Sequence, residues 1–182
     1  MSAVEKMLAY NRHFVEKTLY KDYPASKYPE KKVAVLSCMD TRLTELLPAA
    51  LNCKNGDIQM IKNAGGVISH PFGSVMRSLL VAVYSLGVAE IMVVGHEDCG
   101  MQGLSPSLLI DQMTKRGIAR EKLDTVVSCG IHLENWLKGF EDPYTSVRET
   151  VKAIRFHPLI PTDICVYGFV MNPETGELYS AE

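Results

Sequence analysis

Long apolar runs are missing from this sequence. The longest, Leu79 to Tyr84, has six residues, whereas a membrane-spanning helix needs about 20. An excess of charge is missing too. Nineteen Lys and Arg stand against 21 Asp and Glu, and no basic run exceeds two residues, which excludes the electrostatic footprint of a nucleic-acid or anionic-membrane surface. There is no Cys-x-x-Cys, so a thioredoxin-like redox pair is out. There is no G-x-G-x-x-G and no G-x-x-x-x-G-K-[ST], the usual signatures of dinucleotide and P-loop nucleotide binding. The first 20 residues mix charges into an apolar pattern and predict no secretory core. The cysteines are Cys38, Cys53, Cys99, Cys129 and Cys165, an odd number in a chain of 182 residues. A chain this long builds a core without staples, so the expectation is a reduced, cytoplasmic protein.

What is present is an alternation of strands and helices. Val4, Met7, Leu8, Phe14, Val15 and Leu19 recur at helical spacing, predicting an amphipathic helix within residues 1–20. Residues 23–32, with two prolines and four charges, read as a connector. This divides the single predicted domain, 1–182, into a helical arm (1–22) and a body (33–182). Strands are predicted over Val33–Leu36, Ile58–Ile61, Ile91–Val94 and Ile164–Val170. Helices are predicted over Thr44–Leu51, from Gly73-Ser74 through Leu86 with Gly87 as its cap, over Glu121–Leu137 and over Tyr144–Phe156. Residues 101–117 read as a loop with a short helix, and Asn172 to Gly176 as the turn of a closing hairpin. The expected fold is therefore α/β, with a mostly parallel four-stranded sheet flanked by helices, a last hairpin-like strand and an N-terminal helical arm.

In such sheets ligands bind beyond the carboxyl ends of the strands, where the strand order reverses. Two segments at strand ends carry chemistry. Cys38-Met39-Asp40-Thr41-Arg42 follows the first strand and Gly95-His96-Glu97-Asp98-Cys99-Gly100 the third. Two thiols and an imidazole are a donor set for Zn²⁺ rather than Mg²⁺ or Ca²⁺. With three protein ligands the fourth position stays open, as in catalytic sites. Each half alone is also consistent with buried packing cysteines and a hydrogen-bonded loop histidine. A cysteine-phosphatase loop is excluded, because it needs Arg six positions after the cysteine and Thr44 stands there.

The segments CMDTRL, KNAGG (Lys62 to Gly66) and GHEDCGM, in this order and at these separations, resemble the β-class carbonic anhydrases. The ending, His157 to Pro161 followed by VYGFV and a Thr-Gly turn, resembles the short, minimal branch of that family. The resemblance implies one Zn²⁺ per chain held by Cys38, His96 and Cys99, and a zinc-bound hydroxide that attacks CO₂ to give bicarbonate and a proton. It implies that Asp40 orients the hydroxide, that Arg42 holds Asp40 ionised, and that Gly100 lies against substrate. In some members the aspartate instead binds the metal. The resemblance also implies a homodimer or homotetramer in which the N-terminal arms cross between copies.

The plainer alternative for Asp40–Arg42 is an ordinary surface ion pair, which their position beside Cys38 disfavours, and for Gly100 a turn glycine needing positive φ. Val67, Ile68 and Leu43 are candidates for an apolar CO₂ pocket or for plain core. His70 is the one histidine placed to shuttle protons, and otherwise a loop residue before Pro71. Cys53, Cys129 and Cys165 read as packing residues. The chain departs from the plant type in having no glutamine before Cys38, and from allosterically regulated members in carrying Val35 where they have tryptophan. Rival readings are hydrolysis of CS₂ or carbonyl sulfide, a non-catalytic zinc protein on the same fold, and a metal-free redox-sensing thiol.

Overall fold

The computed structural model describes residues 1–182. Five strands form one sheet: β1 (Val33–Cys38), β2 (Ile58–Asn63), β3 (Glu90–His96), β4 (Cys165–Met171) and β5 (Leu178–Ser180), in the order β2-β1-β3-β4-β5. All neighbours are parallel except β5, which returns antiparallel to β4 after the Asn172–Gly176 turn. The chain leaves β1 through α2 (Leu43–Ala50) to β2 on one side, then crosses through α3 (Ser74–Leu86) to β3 on the other. The order therefore reverses between β1 and β3, and their carboxyl ends are Cys38 and His96.

Strand alternation sorts the apolar side chains onto two faces. Ala34, Leu36, Ile91 and Val93 face α3 and α7 (Pro143–Arg155), joining Met76, Leu79, Val147, Val151 and Ile154 in the larger core. Val35, Val94 and Met171 face α2 and pack on Leu43 and Leu47. With both faces covered, β1 and β3 read as continuous apolar runs.

The arm holds one helix and a following 3-10 turn, Leu19–Asp22. Helix α1 spans Ala3–Glu16, opened by a capping box between Ser2 and Glu5 and followed by Thr18 in the left-handed region at φ 56°. It buries none of its residues against its own chain.

Between β3 and α7 the chain makes a helical excursion of α4 (Pro106–Lys115), α5 (Arg120–Ser128) and α6 (Leu133–Leu137). The single helix expected over 121–137 is thus two. Gly130, at φ 88°, ends α5: its N–H donates to the Val127 carbonyl while that of Ile131 reaches back to Val126. Gly117 closes α4 the same way, with Ile118 N–H on the Met113 carbonyl.

Candidate metal centre

Cys38 ends β1, His96 ends β3, and Cys99 follows on a turn in which Asp98 takes φ 52°. All three ligand candidates are buried, at 4%, 1% and 5% exposure. Their donor atoms lie within 4.8 Å of one another. The two sulfurs are 3.8 Å apart, the separation that two Zn–S bonds of about 2.3 Å subtend at a tetrahedral angle.

The imidazole is fixed in the matching tautomer. Nδ1 is 2.8 Å from the Glu97 carbonyl, so it carries the proton and donates. Nε2 is left with its lone pair, buried and without a hydrogen-bond partner. Such an orphan costs about 1–3 kcal/mol unless something fills its place. A thiophilic cation between the sulfurs would do so, and the donor set fits zinc.

Charge is arranged accordingly. The Cys38 thiol is pulled far below its ordinary range, to about 4, by the Cys99 thiol against it and then by His96 and the amides of Asp40 and Gly65, in opposition to burial. The same contact with Cys38, helped by burial, pushes Cys99 up. The metal-free pair therefore shares one negative charge readily and resists a second, as closely coupled acids do. Burial draws His96 down, but the neighbouring Cys38 sulfur and the Glu97 carbonyl outweigh it and the net direction is up.

Asp40 and Arg42 stand at the mouth. The Arg42 guanidinium donates to both Asp40 oxygens, at 3.1 and 2.9 Å, and the Arg42 amide adds a third bond to Oδ1 at 2.9 Å. These hold the Asp40 carboxyl down at about 2. Asp40 Oδ2 lies 3.8 Å from His96 Nε2, beyond hydrogen-bonding range. Arg42 also donates at 2.8 Å to the Asp98 carboxylate and at 2.8 Å to its carbonyl. Asp98 is absent from the sequence expectations. Its only signal is an acidic residue between the two ligands of the second motif. Lys62 stands in the sequence only as part of a motif, yet its Nζ is buried and unpaired, and burial draws its pKa down.

The KNAGG segment closes the floor. The Asn63 side chain clasps Val67 at both its N–H (3.0 Å) and its carbonyl (2.7 Å), which bends the chain into a tight turn. Gly66, at φ 66°, runs so close to β1 that a Cβ there would sit 3.0 Å from the Cys38 nitrogen.

The structure decides between the alternatives left open for several residues. Leu43 is fully buried under the sheet and Ile68 packs on the larger core, so of the apolar trio only Val67 remains near the glycine turn. Gly100 is not at positive φ; Asp98 makes that bend, and the space beside Gly100 is open. His70 is an exposed turn residue accepting from the Phe72 amide. Cys129 and Cys165 are exposed rather than packed, because Cys129 caps the surface helix α5 and Cys165 begins β4 at the sheet's rim.

Residues 33–178 match the carbonic anhydrase family. YtiB of Bacillus subtilis (strain 168), provisionally named a carbonic anhydrase, is 46% identical over 98% of this chain and 95% of its own. The crystal structure of β-carbonic anhydrase isoform I from Trichomonas vaginalis superposes with a TM-score of 0.90 at 35% identity, covering 100% of this chain and 98% of that one. A carbon disulfide hydrolase of Acidithiobacillus thiooxidans is 26% identical over 81% of this chain and 76% of its own.

Proposed function

The chain belongs to the β-carbonic anhydrase family, and we propose that it catalyses the reversible hydration of CO₂ to bicarbonate and a proton, with one zinc ion held by Cys38, His96 and Cys99. The observation that carries this reading is the buried, unpartnered His96 Nε2 beside two sulfurs 3.8 Å apart. Bound there, zinc supplies a Lewis acid that makes a water nucleophilic near neutral pH.

The remaining work falls to the chain. Asp40, kept ionised by Arg42, is an acceptor that orients the attacking water's lone pair toward carbon. Because Arg42 occupies both Asp40 oxygens, the carboxylate would be held back from a metal bound by Cys38, His96 and Cys99. Gly100, with open space where a side chain would stand, admits substrate against the backbone beside Cys99. The Cys38 and Cys99 thiolates would cancel the formal charge of a zinc held there, which would then acidify water less than an all-histidine site does. The hydration rate should rise with pH through an apparent pKa at or above ~7.

The amphipathic α1, unburied on its own chain, supports a homodimer or a multiple of one. No helix of the chain is long and apolar enough to cross a membrane. The odd number of cysteines, all of them free thiols, supports a reduced, cytoplasmic setting.

Zinc content and CO₂ hydration, measured together on the wild type and on His96→Ala, test the assignment. One zinc per chain and turnover are expected for the first, and loss of most of both for the second. Full zinc and full turnover in His96→Ala would show the site to be misplaced. Hydrolysis of CS₂ is the second reading, favoured by the carbon disulfide hydrolase relative. Preferential turnover of CS₂ over CO₂ in the same assay would select it.

A further inference from the structure

The helical excursion α4–α6 leaves the body immediately after the last ligand candidate and returns at Phe140. Its two ends are bound into a neck. The Gly103 amide donates to the Phe140 carbonyl at 2.9 Å, the Phe140 amide to the Met101 carbonyl at 3.2 Å, and the Gln102 side chain to the Glu141 carbonyl at 2.9 Å. Gly139 passes so close to Met101 that a Cβ there would collide with the Met101 carbonyl oxygen. Above the neck, the half-buried Phe140 ring leans on the glycine turn. A Cβ on Gly65 would lie 3.0 Å from Phe140 Cε1 and 3.3 Å from Met101 Cγ. Phe140 therefore touches two peptide segments at once, by its ring at Gly65 and by its backbone at Met101.

Those two segments pack on the ligand residues themselves. A Cβ on Gly66, next to Gly65, would sit 3.0 Å from the Cys38 nitrogen, and the amide of Gln102, next to Met101, donates to the Cys99 carbonyl at 2.8 Å. Gly65 stands at φ 84°, so nothing in its own side chain holds the peptide there. Its neighbours do, and Phe140 is the nearest of them. Partners outside the ligand shell that fix a ligand residue in place tune its affinity for metal.

We propose that Phe140 is a positioning residue for the metal centre: by bracing Gly65 and Met101 together it holds the two turns that pack on Cys38 and Cys99, and so ties the seating of the 104–138 excursion to retention of zinc. The inference rests on the proposed zinc site. It adds that a residue on neither motif, about 40 positions beyond Cys99, governs metal affinity without touching the metal or the substrate.

The test is zinc affinity by competition with a chromogenic chelator, together with amide hydrogen exchange on the metal-free protein. Four chains are compared: wild type, Phe140→Ala, Phe140→Tyr and Trp136→Ala. Phe140→Ala should weaken zinc by roughly ten- to hundredfold, the range for lost outer-shell support. It should also speed exchange in peptides covering residues 63–67 and 99–103. Phe140→Tyr keeps the ring edge and should restore both. Trp136 is exposed on the same excursion, and Trp136→Ala should change neither. If Phe140→Ala fails to fold, Phe140→Leu takes its place and should still lose affinity severalfold. Wild-type zinc affinity in Phe140→Ala, or an equal loss in Trp136→Ala, would overturn the proposal. Absence of zinc binding in the wild type would instead contradict the proposed metal site, while the exchange comparison would still decide whether Phe140 braces the two segments.

Discussion

Arg42 divides its guanidinium between two carboxylates that come from different strand ends, Asp40 after β1 and Asp98 after β3. Replacing it should release Asp40 toward the metal and misplace the acceptor for the attacking water. Arg42→Ala is expected to lower CO₂ turnover by up to about a hundredfold, as small misplacements do, with zinc content retained. Normal turnover in that variant would reduce the pair to a structural ion pair. The pair should also register in stability. The folded pKa of Asp40, about 2, lies below its ordinary 3.8, so ionised Asp40 favours the folded state at all pH values above that ordinary value. The benefit disappears as pH falls through the folded pKa. The urea midpoint of the wild type should therefore exceed that of Asp40→Asn by a constant margin near neutrality, and the two should converge between pH 3.8 and about 2. A margin unchanged at the acid end would mean that the carboxylate charge contributes nothing. The ligand candidates, Asp40 and Arg42 are legible in the sequence because their chemistry and spacing are local to two short motifs. Asp98 is not, since its contact with Arg42 exists only through the parallel register of β1 on β3. Phe140 is hidden for the same reason, because the excursion's return to Gly65 leaves no local pattern.

At the scale of elements, α7 lies on β3 and β4 where both strands carry glycine. A Cβ on Gly95 would approach Val147 Cγ2 to 2.7 Å, and one on Gly168 would approach Val147 Cγ1 to 2.8 Å. These glycines set how near the helix sits, and one of them adjoins His96. Gly95→Ala should cost about 1–3 kcal/mol by overpacking, read as a lowered denaturation midpoint, and should weaken zinc by tilting the end of β3. An unchanged midpoint would show that α7 can yield without loss. Strands β1 and β3 are legible from β-branched runs between turn residues, since burial on both faces leaves little else they could be. The helices between β3 and α7 are less so. Apolar residues such as Val126, Val127, Ile131 and Trp136 are exposed there, so hydrophobic spacing does not report a buried face and runs on across the break at Gly130. The presence of α1 is legible from its helical spacing, whereas its end depends on Thr18 adopting a left-handed conformation that threonine rarely favours.

For the whole molecule the unmatched feature is α1. Val4, Met7, Leu8 and Val15 are all more than half exposed, and a helix of 14 residues is marginal alone in water. A second copy of the chain is the partner the resemblance implies. The wild type should show at least a dimer mass by light scattering at micromolar concentration, and Met7→Glu with Leu8→Glu should lower that mass. A wild-type monomer would leave α1 without a role. The central claim, however, concerns the metal and the reaction. It is met most directly by following CO₂ hydration in a stopped-flow instrument as zinc is stripped from the protein with a chelator and then restored. Hydration should vanish with the metal and return in proportion to zinc, reaching its full rate at one ion per chain. Hydration that survives complete removal of zinc, or none at full zinc occupancy, would contradict the assignment.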